Sequence, residues 1–343
     1  MKADLTEPHS PTVTTVTGPL PLRSLTGPVL AHEHLALDLD RTGEGAAVLG
    51  DRHAPAVAAE LAALREEYGL GLVIELTCRG MGRDPAALVR ISRASGVAVT
   101  AATGWYQEPF HTPEVAGSGV ERLTETLVRE ITTGLGAKDR AGPLPGIIGE
   151  VGSHGDTPSE PEARVLRAAA RAALATGLAV ATHAHLGRGG PAQLALLTRE
   201  GLPPDRVGIG HQDLLDRPAV HRTLAAEGAY IAFDTVGKEG YQSDTTRLRL
   251  LLALLEAGHA ERALLSCDIS RHRYLWCEGG PGYGHLFRSF LPRLRAAGAD
   301  DELIDLLTRR NPLRLLTGAD PGPRRPGPAP SALSAPSAPK DGP

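Results

Sequence analysis

The chain has 343 residues, 41% hydrophobic and 22% charged, the balance of a globular protein long enough to bury a sizeable core. Its formal net charge of −4, with no basic stripe, excludes an electrostatic footprint for nucleic acid. No apolar run has bilayer-spanning length, the N-terminus lacks a signal-type apolar core, and Cys78, Cys267 and Cys277 form neither a disulfide framework nor a metal knuckle. A cytoplasmic protein without a membrane role is therefore expected.

Residues 1–12 are loose in composition and are expected to be flexible. A short β-hairpin should follow, punctuated by Gly18, Pro19 and Gly27. Then come eight apolar, β-type runs: "PVLAHEHL", "GLVIELT", "VAVTAATG", "GIIGEVG", "LAVATH", "RVGIGHQD", "AYIAFDT" and "ALLSCDIS". Amphipathic helical patterns lie between most of them, among them "DPAALVRISRAS", "VERLTETLVREITTGL" and "PEARVLRAAARAALATG". Apolar strands alternating with helices predict an α/β fold with a parallel sheet, and this number of units predicts a (β/α)8 TIM barrel. A doubly wound open sheet fits less well, because no G-x-G-x-x-G turn follows the first strand. One domain should cover 13–318. Residues 319–343, rich in Pro, Ala, Gly and Ser, should be disordered.

Reactive groups of such barrels sit at the C-terminal strand ends. Alternation along a strand puts His32 and His34 on one face. Glu150 ends "GIIGE", His183 ends "AVATH", His211 ends "GIGH" and Asp268 ends "LLSCD". Any one of these could be a hydrogen-bonded loop residue or a helix cap. Together, four imidazoles and two carboxylates are the donor set for two adjacent divalent metal ions. One carboxylate could bridge the ions, a water between them would lose its proton near neutral pH, and a metal-linked Asp could carry that proton.

These segments resemble the phosphotriesterase-like branch of the amidohydrolase superfamily. The resemblance runs from about Gly18 to Leu316 through "AHEHL", "GRDPAALVRISRASGVAVTAATGWY", "GIIGEVGS", "VATH", "RVGIGHQD", "IAFDTVGK", "LLSCD", "GGPGYGHLFRSFLPRL" and "NPLRLL". It implies a binuclear zinc site. His32, His34 and Asp268 would hold the more buried ion, His183 and His211 the other, and Asp268 would handle the proton. Many members bridge the metals with a carboxylated lysine; here Glu150 stands in its place, as in a glutamate-bridged branch. None of the four lysines (Lys2, Lys138, Lys238, Lys340) falls on that strand. Thr235 replaces a histidine found in organophosphate-degrading members.

Trp105 and Tyr106 follow the third strand, and Tyr274 and Trp276 follow the eighth, in loops that frame a barrel mouth. Lys238 and Arg271 resemble in placement the residues with which family members anchor phosphorylated lactones, and Tyr241 accompanies them. His185 and Arg188 are further pocket candidates. Asp213 and Asp234 are expected to orient ligand histidines. The expected activity is metal-dependent hydrolysis of a small lactone or ester, with an N-acyl amide as the alternative and a phosphotriester less favoured. A non-catalytic metal-binding scaffold is the alternative of a different class. The resemblance also implies a homodimer.

Overall fold

The computed structural model describes residues 11–136 and 142–324; the expectations for 1–10 and 325–343 lie outside them. A two-stranded antiparallel hairpin, Thr12–Thr15 and Gly18–Pro21, opens the described chain. Eight barrel strands follow: Val29–Glu33, Leu72–Glu75, Ala98–Thr100 continued by Ala102–Thr103, Ile147–Ser153, Val180–Ala184, Val207–Ile209, Tyr230–Phe233 and Ala263–Leu265. Each pairs in parallel with the next. The ring closes where the Asp268 amide donates to the His32 carbonyl (3.2 Å). Beside it, the Glu33 carboxylate accepts from the Cys267 and Ile269 amides, each at 2.8 Å. The fold is a TIM barrel.

Helices such as Pro85–Ser95, Val120–Thr133, Glu160–Thr176 and Asp244–Glu256 form the outer layer. Their starts are fixed locally. Asp84 caps one by accepting from the Ala87 amide (2.9 Å), and Ser159 with Glu162 forms a capping box on another.

Side chains on successive strand positions alternate between two cores. Val29, Ala31, Leu72, Ile74, Ile147, Ala181, Tyr230 and Leu264 fill the barrel interior, closed at the bottom by Leu22, Leu25 and Leu313. Leu30, Val73, Val99, Ile148, Val180, Ile231 and Leu265 face the helices. Strict alternation from Ala31 would put Glu33 inside and His32 and His34 outside. The ladder register shifts between Leu30 and Glu33, inserting one extra residue and reversing the faces. A second shift, between Val180 and Thr182 against Ile148 and Val151, does the same for Glu150.

The expected strands run longer than the observed ones at several C-terminal ends. His211 (φ 56°) and Asp268 (φ 50°) leave the β region, which stops the ladders before them. Strand four is the opposite case: it continues past Glu150 to Ser153. The packed chain also extends beyond 318. Asp320 accepts from Arg310 and Arg314, Arg309 donates to the Gly322 carbonyl (2.6 Å) and Arg324 to Asp305 (2.9 Å). Charged anchors on the helix before it hold this stretch despite its Pro/Gly-rich composition.

Candidate active site

The six expected ligands converge at the C-terminal end of the barrel, and all six are buried. His34 Nε2 lies 3.3 Å from Glu150 Oε1 and 3.3 Å from Asp268 Oδ1. His32 Nε2 lies 3.5 Å from Glu150 Oε2 and 4.0 Å from Asp268 Oδ1. On the other side, His183 Nδ1 and His211 Nε2 approach Glu150 Oε2 to 3.2 and 3.6 Å and each other to 2.8 Å. Glu150 thus belongs to two ligand triads, with His32 and His34 and with His183 and His211.

The backbone permits this convergence at specific points. A Cβ on Gly210 would lie 2.2 Å from the Thr182 carbonyl oxygen, so only glycine lets the strand before His211 come this close. The left-handed φ at His211 and Asp268 aims both side chains inward.

Asp234 holds two of the imidazoles at once. His32 Nδ1 donates to Oδ2 (2.7 Å) and His211 Nδ1 to Oδ1 (2.9 Å), leaving both Nε2 atoms turned into the cluster. Asp234 also falls within a triad with these histidines, but its contacts have hydrogen-bond geometry, so it is an orienting group. Asp213 does not share this role. It accepts from the Thr235 amide (3.1 Å) and from Arg247 Nε (2.7 Å), and it touches no ligand histidine.

Burial disfavours a charged His32, yet Glu150 and Asp234 overcome it and hold its pKa well above the ordinary value. Against the same burial, Asp268 and Glu150 raise His34 to about 9 and Asp234 with Glu150 raises His211 to about 10, while burial wins at His183 and lowers it. Burial would raise Glu150 and Asp268; the imidazoles lower the first, and Lys238 with the imidazoles lowers the second. The cluster therefore attracts positive charge. His32 Nε2 is buried without a hydrogen-bond partner among the described residues and points at the two carboxylates. Four imidazoles, a carboxylate common to both triads and an orphaned nitrogen fit a pair of divalent cations, whose binding would displace the protons these pKa values retain.

Above the cluster opens a cavity of about 230 Å³. Tyr106, Lys238, Tyr241 and Arg271 line it, together with His185, Gln107, Phe110 and Ser270. The Tyr106 hydroxyl is 3.2 Å from His183 Nδ1. Lys238 is buried, bonds to Asp268 Oδ2 and donates to Ser270 Oγ at 3.1 Å. Trp105 is not on the cavity wall. Its ring is fully buried, with Nε1 donating to Thr112 Oγ1 (3.0 Å) and the Arg79 guanidinium 5.2 Å from its centroid. Trp276 is 60% exposed and also outside the lining. Arg188 pairs with Asp156 at the surface.

Other supporting residues were not singled out in the sequence. Glu33 clamps Ser266, Cys267 and Ile269 around Asp268, and burial pushes its carboxyl up to about 7. Thr77 bonds to His34 and Glu75. Arg247, fully buried, donates to Asp213, Asp244 (3.0 Å) and the Lys238 carbonyl (3.1 Å), fixing the segment that carries Lys238. The one signal for Arg247 was a charged residue in an apolar helix.

The profile of the Phosphotriesterase family matches residues 11–316. The Phosphotriesterase homology protein of Escherichia coli is 37% identical over 288 residues, 84% of this chain and 97% of that one. Its structure, with phosphate in the active site, superposes with a TM-score of 0.82 at 35% identity, covering 85% and 99% of the two chains. The N-acetyltaurine hydrolase of Rattus norvegicus is 30% identical over 277 residues, 75% of this chain and 78% of that one. A mutant of a PTE-like lactonase from Deinococcus radiodurans gives a TM-score of 0.78 at 30% identity, covering 89% and 100%. With its barrel, its ligand cluster and a profile match over nearly the whole described chain, the protein belongs to the Phosphotriesterase family and is a hydrolase of that family.

Proposed function

We propose that the protein hydrolyses the carbonyl group of a small lactone or ester carrying an anionic substituent, with two divalent metal ions, zinc by the character of the donor set. The observation that carries the reading is the placement of Lys238. This buried ammonium lies on the cavity wall beside the ligand Asp268, with Arg271 on the same wall. A substrate centred over the cluster would bring an anionic group within reach of both cations.

His32, His34 and Asp268 would hold one ion and His183 and His211 the other, with Glu150 between them. When bound, such ions would supply Lewis acidity, lowering the pKa of water and polarising the carbonyl under attack. The chain's own residues do the rest. Asp268 Oδ1 faces His32 and His34 while Oδ2 faces Lys238. Its carboxylate accepts the proton of the attacking water and delivers it to the leaving oxygen. Asp234 keeps His32 and His211 in the tautomer that presents Nε2. Leu39, Phe110 and Leu214 give the cavity an apolar wall beside the reacting group.

A second reading, cleavage of an N-acyl amide, is favoured by the 30% identity with the rat N-acetyltaurine hydrolase. A screen of metal-replete protein on γ- and δ-lactones, phosphorylated sugar lactones, N-acyl amino acids and paraoxon separates the two. Turnover of lactones, greatest for anionic ones and lost in Asp268→Asn, is expected. Turnover of N-acyl compounds alone would replace the ester reading with the amide one, and activity unchanged in Asp268→Asn would overturn the mechanism.

A further inference from the structure

The site histidines are not all oriented in the same way. Asp234 reaches His32 and His211 directly, with one oxygen for each. His34 has no carboxylate on its Nδ1. Its partner there is the Thr77 hydroxyl, 2.8 Å away, and that hydroxyl bonds in turn to Glu75 Oε1. Strand two places these groups: Glu75 is its last residue and Thr77 lies just beyond, beside the end of strand one.

The direction of the chain of bonds follows from the number of protons. Glu75 is fully buried and surrounded by donors, the amides of Leu35 and Thr77 at 3.3 Å each and the Thr77 hydroxyl. Its carboxyl group therefore accepts in all three. A hydroxyl has one proton to give. With that proton committed to Glu75, Thr77 Oγ1 can only accept from His34, so the ring proton of His34 resides on Nδ1. In the neutral ring that a metal requires, Nε2, 3.3 Å from both Glu150 and Asp268, then presents its lone pair to the cluster.

We infer that Glu75 and Thr77 form a carboxylate–hydroxyl relay that fixes the tautomer and ring orientation of His34, and so sets the affinity of the metal ion on the His32/His34 side. The inference rests on the two-metal reading of the cluster. Neither residue lines the cavity, so neither touches substrate; both are positioning residues. The relay also makes the two ions unequal. The His183/His211 side does not depend on Thr77, so loss of the hydroxyl weakens one ion and spares the other.

The test is a cobalt(II) titration of metal-free protein, followed by visible absorption, for wild type, Thr77→Val, Thr77→Ser and Glu75→Gln. Thr77→Val keeps the shape and removes the hydroxyl; Thr77→Ser keeps the hydroxyl. Wild type should take up two ions. Thr77→Val should bind one of them about 10- to 100-fold more weakly, the usual cost of losing an outer hydrogen bond to a ligand, with the other step unmoved. Thr77→Ser should restore wild-type binding, and Glu75→Gln should resemble Thr77→Val. A role in packing alone would instead lower the melting temperature of the metal-free protein without separating the two steps. Wild-type uptake of both ions by Thr77→Val, or Thr77→Ser as weak as Thr77→Val, would overturn the relay. Uptake of fewer than two ions by wild type would overturn the two-metal reading itself, and the relay with it.

Discussion

On the cavity floor the proposed ligands are buried and tied across the barrel: His32 and His211 to Asp234, His34 to Thr77, Asp268 to Lys238. The rim is built differently. Tyr241 is 50% exposed, Leu186 is exposed on a left-handed turn, and the Arg188–Asp156 pair lies in solvent. Side chains locked from behind hold reacting atoms in place, which the chemistry requires. Loosely held loops let one centre accept different substrates. The reaction type should therefore respond to floor residues and the choice of substrate to rim residues.

Asp268→Asn should give the largest effect. The amide keeps the shape but cannot take a proton, and kcat should fall by about 10²- to 10⁴-fold, the range for a positioned acid–base group. Single-turnover rates measure this. A fall of less than tenfold would mean that the proton leaves by another route.

Asp234→Asn comes next, and its readout is metal retention. An asparagine cannot accept from two imidazoles as Asp234 does. Metal affinity should weaken by about 10- to 100-fold, seen as metal content after dialysis against a chelator. Asp213→Asn should leave metal content unchanged, since Asp213 bonds to Arg247 and Thr235.

Between floor and rim stands Lys238. Lys238→Met should raise KM for anionic substrates by about 10- to 100-fold, since a hydrogen bond to a charged group contributes about 1.5–3 kcal/mol. Neutral analogues should change little. The ammonium also helps keep the Asp268 carboxyl low, so its loss should move the acid limb of the pH–rate profile to higher pH. An equal loss on neutral and anionic substrates would place Lys238 wholly on the floor.

This division also explains what the sequence revealed. The cluster was legible because histidines and acids stand out after apolar strands, and the strand order places them on one face. The means of convergence was not. Alternation from Val29 and Ala31 points Glu33 inward, and only the register shift, a property of paired strands, reverses it. Asp213 and Asp234 illustrate the same gap. Each lies near a strand end, yet one meets two histidines and the other a buried arginine from a distant helix. Trp105 was legible as a loop aromatic, but whether it faces the cavity or seals the loop is decided by Thr112 and Arg79.

Trp105→Phe follows from that last point. One hydrogen bond goes and the smaller phenyl ring leaves part of the buried space empty, so stability should fall by about 2–3 kcal/mol, with kcat and KM unchanged. A thermal melt beside steady-state kinetics checks both. A tenfold rise in KM with no change in melting would return Trp105 to the substrate.

Arg188→Ala should do least, and its smallness carries information. An exposed ion pair contributes about 0–1 kcal/mol, and Arg188 is absent from the cavity lining. Stability should fall by no more than about 1 kcal/mol, and kcat/KM should stay within about twofold of wild type, with a change of 1.4 kcal/mol being tenfold. Neighbouring His185, three residues earlier, does line the cavity, stacked on His154 with ring centroids 4.2 Å apart. If Arg188→Ala nonetheless raised KM for anionic substrates tenfold, the anion-binding rim would have to extend across strand five. The substrate would then span the cavity from Lys238 to the loop of His185, and the contrast between a fixed floor and a permissive rim would hold only on one side of the barrel.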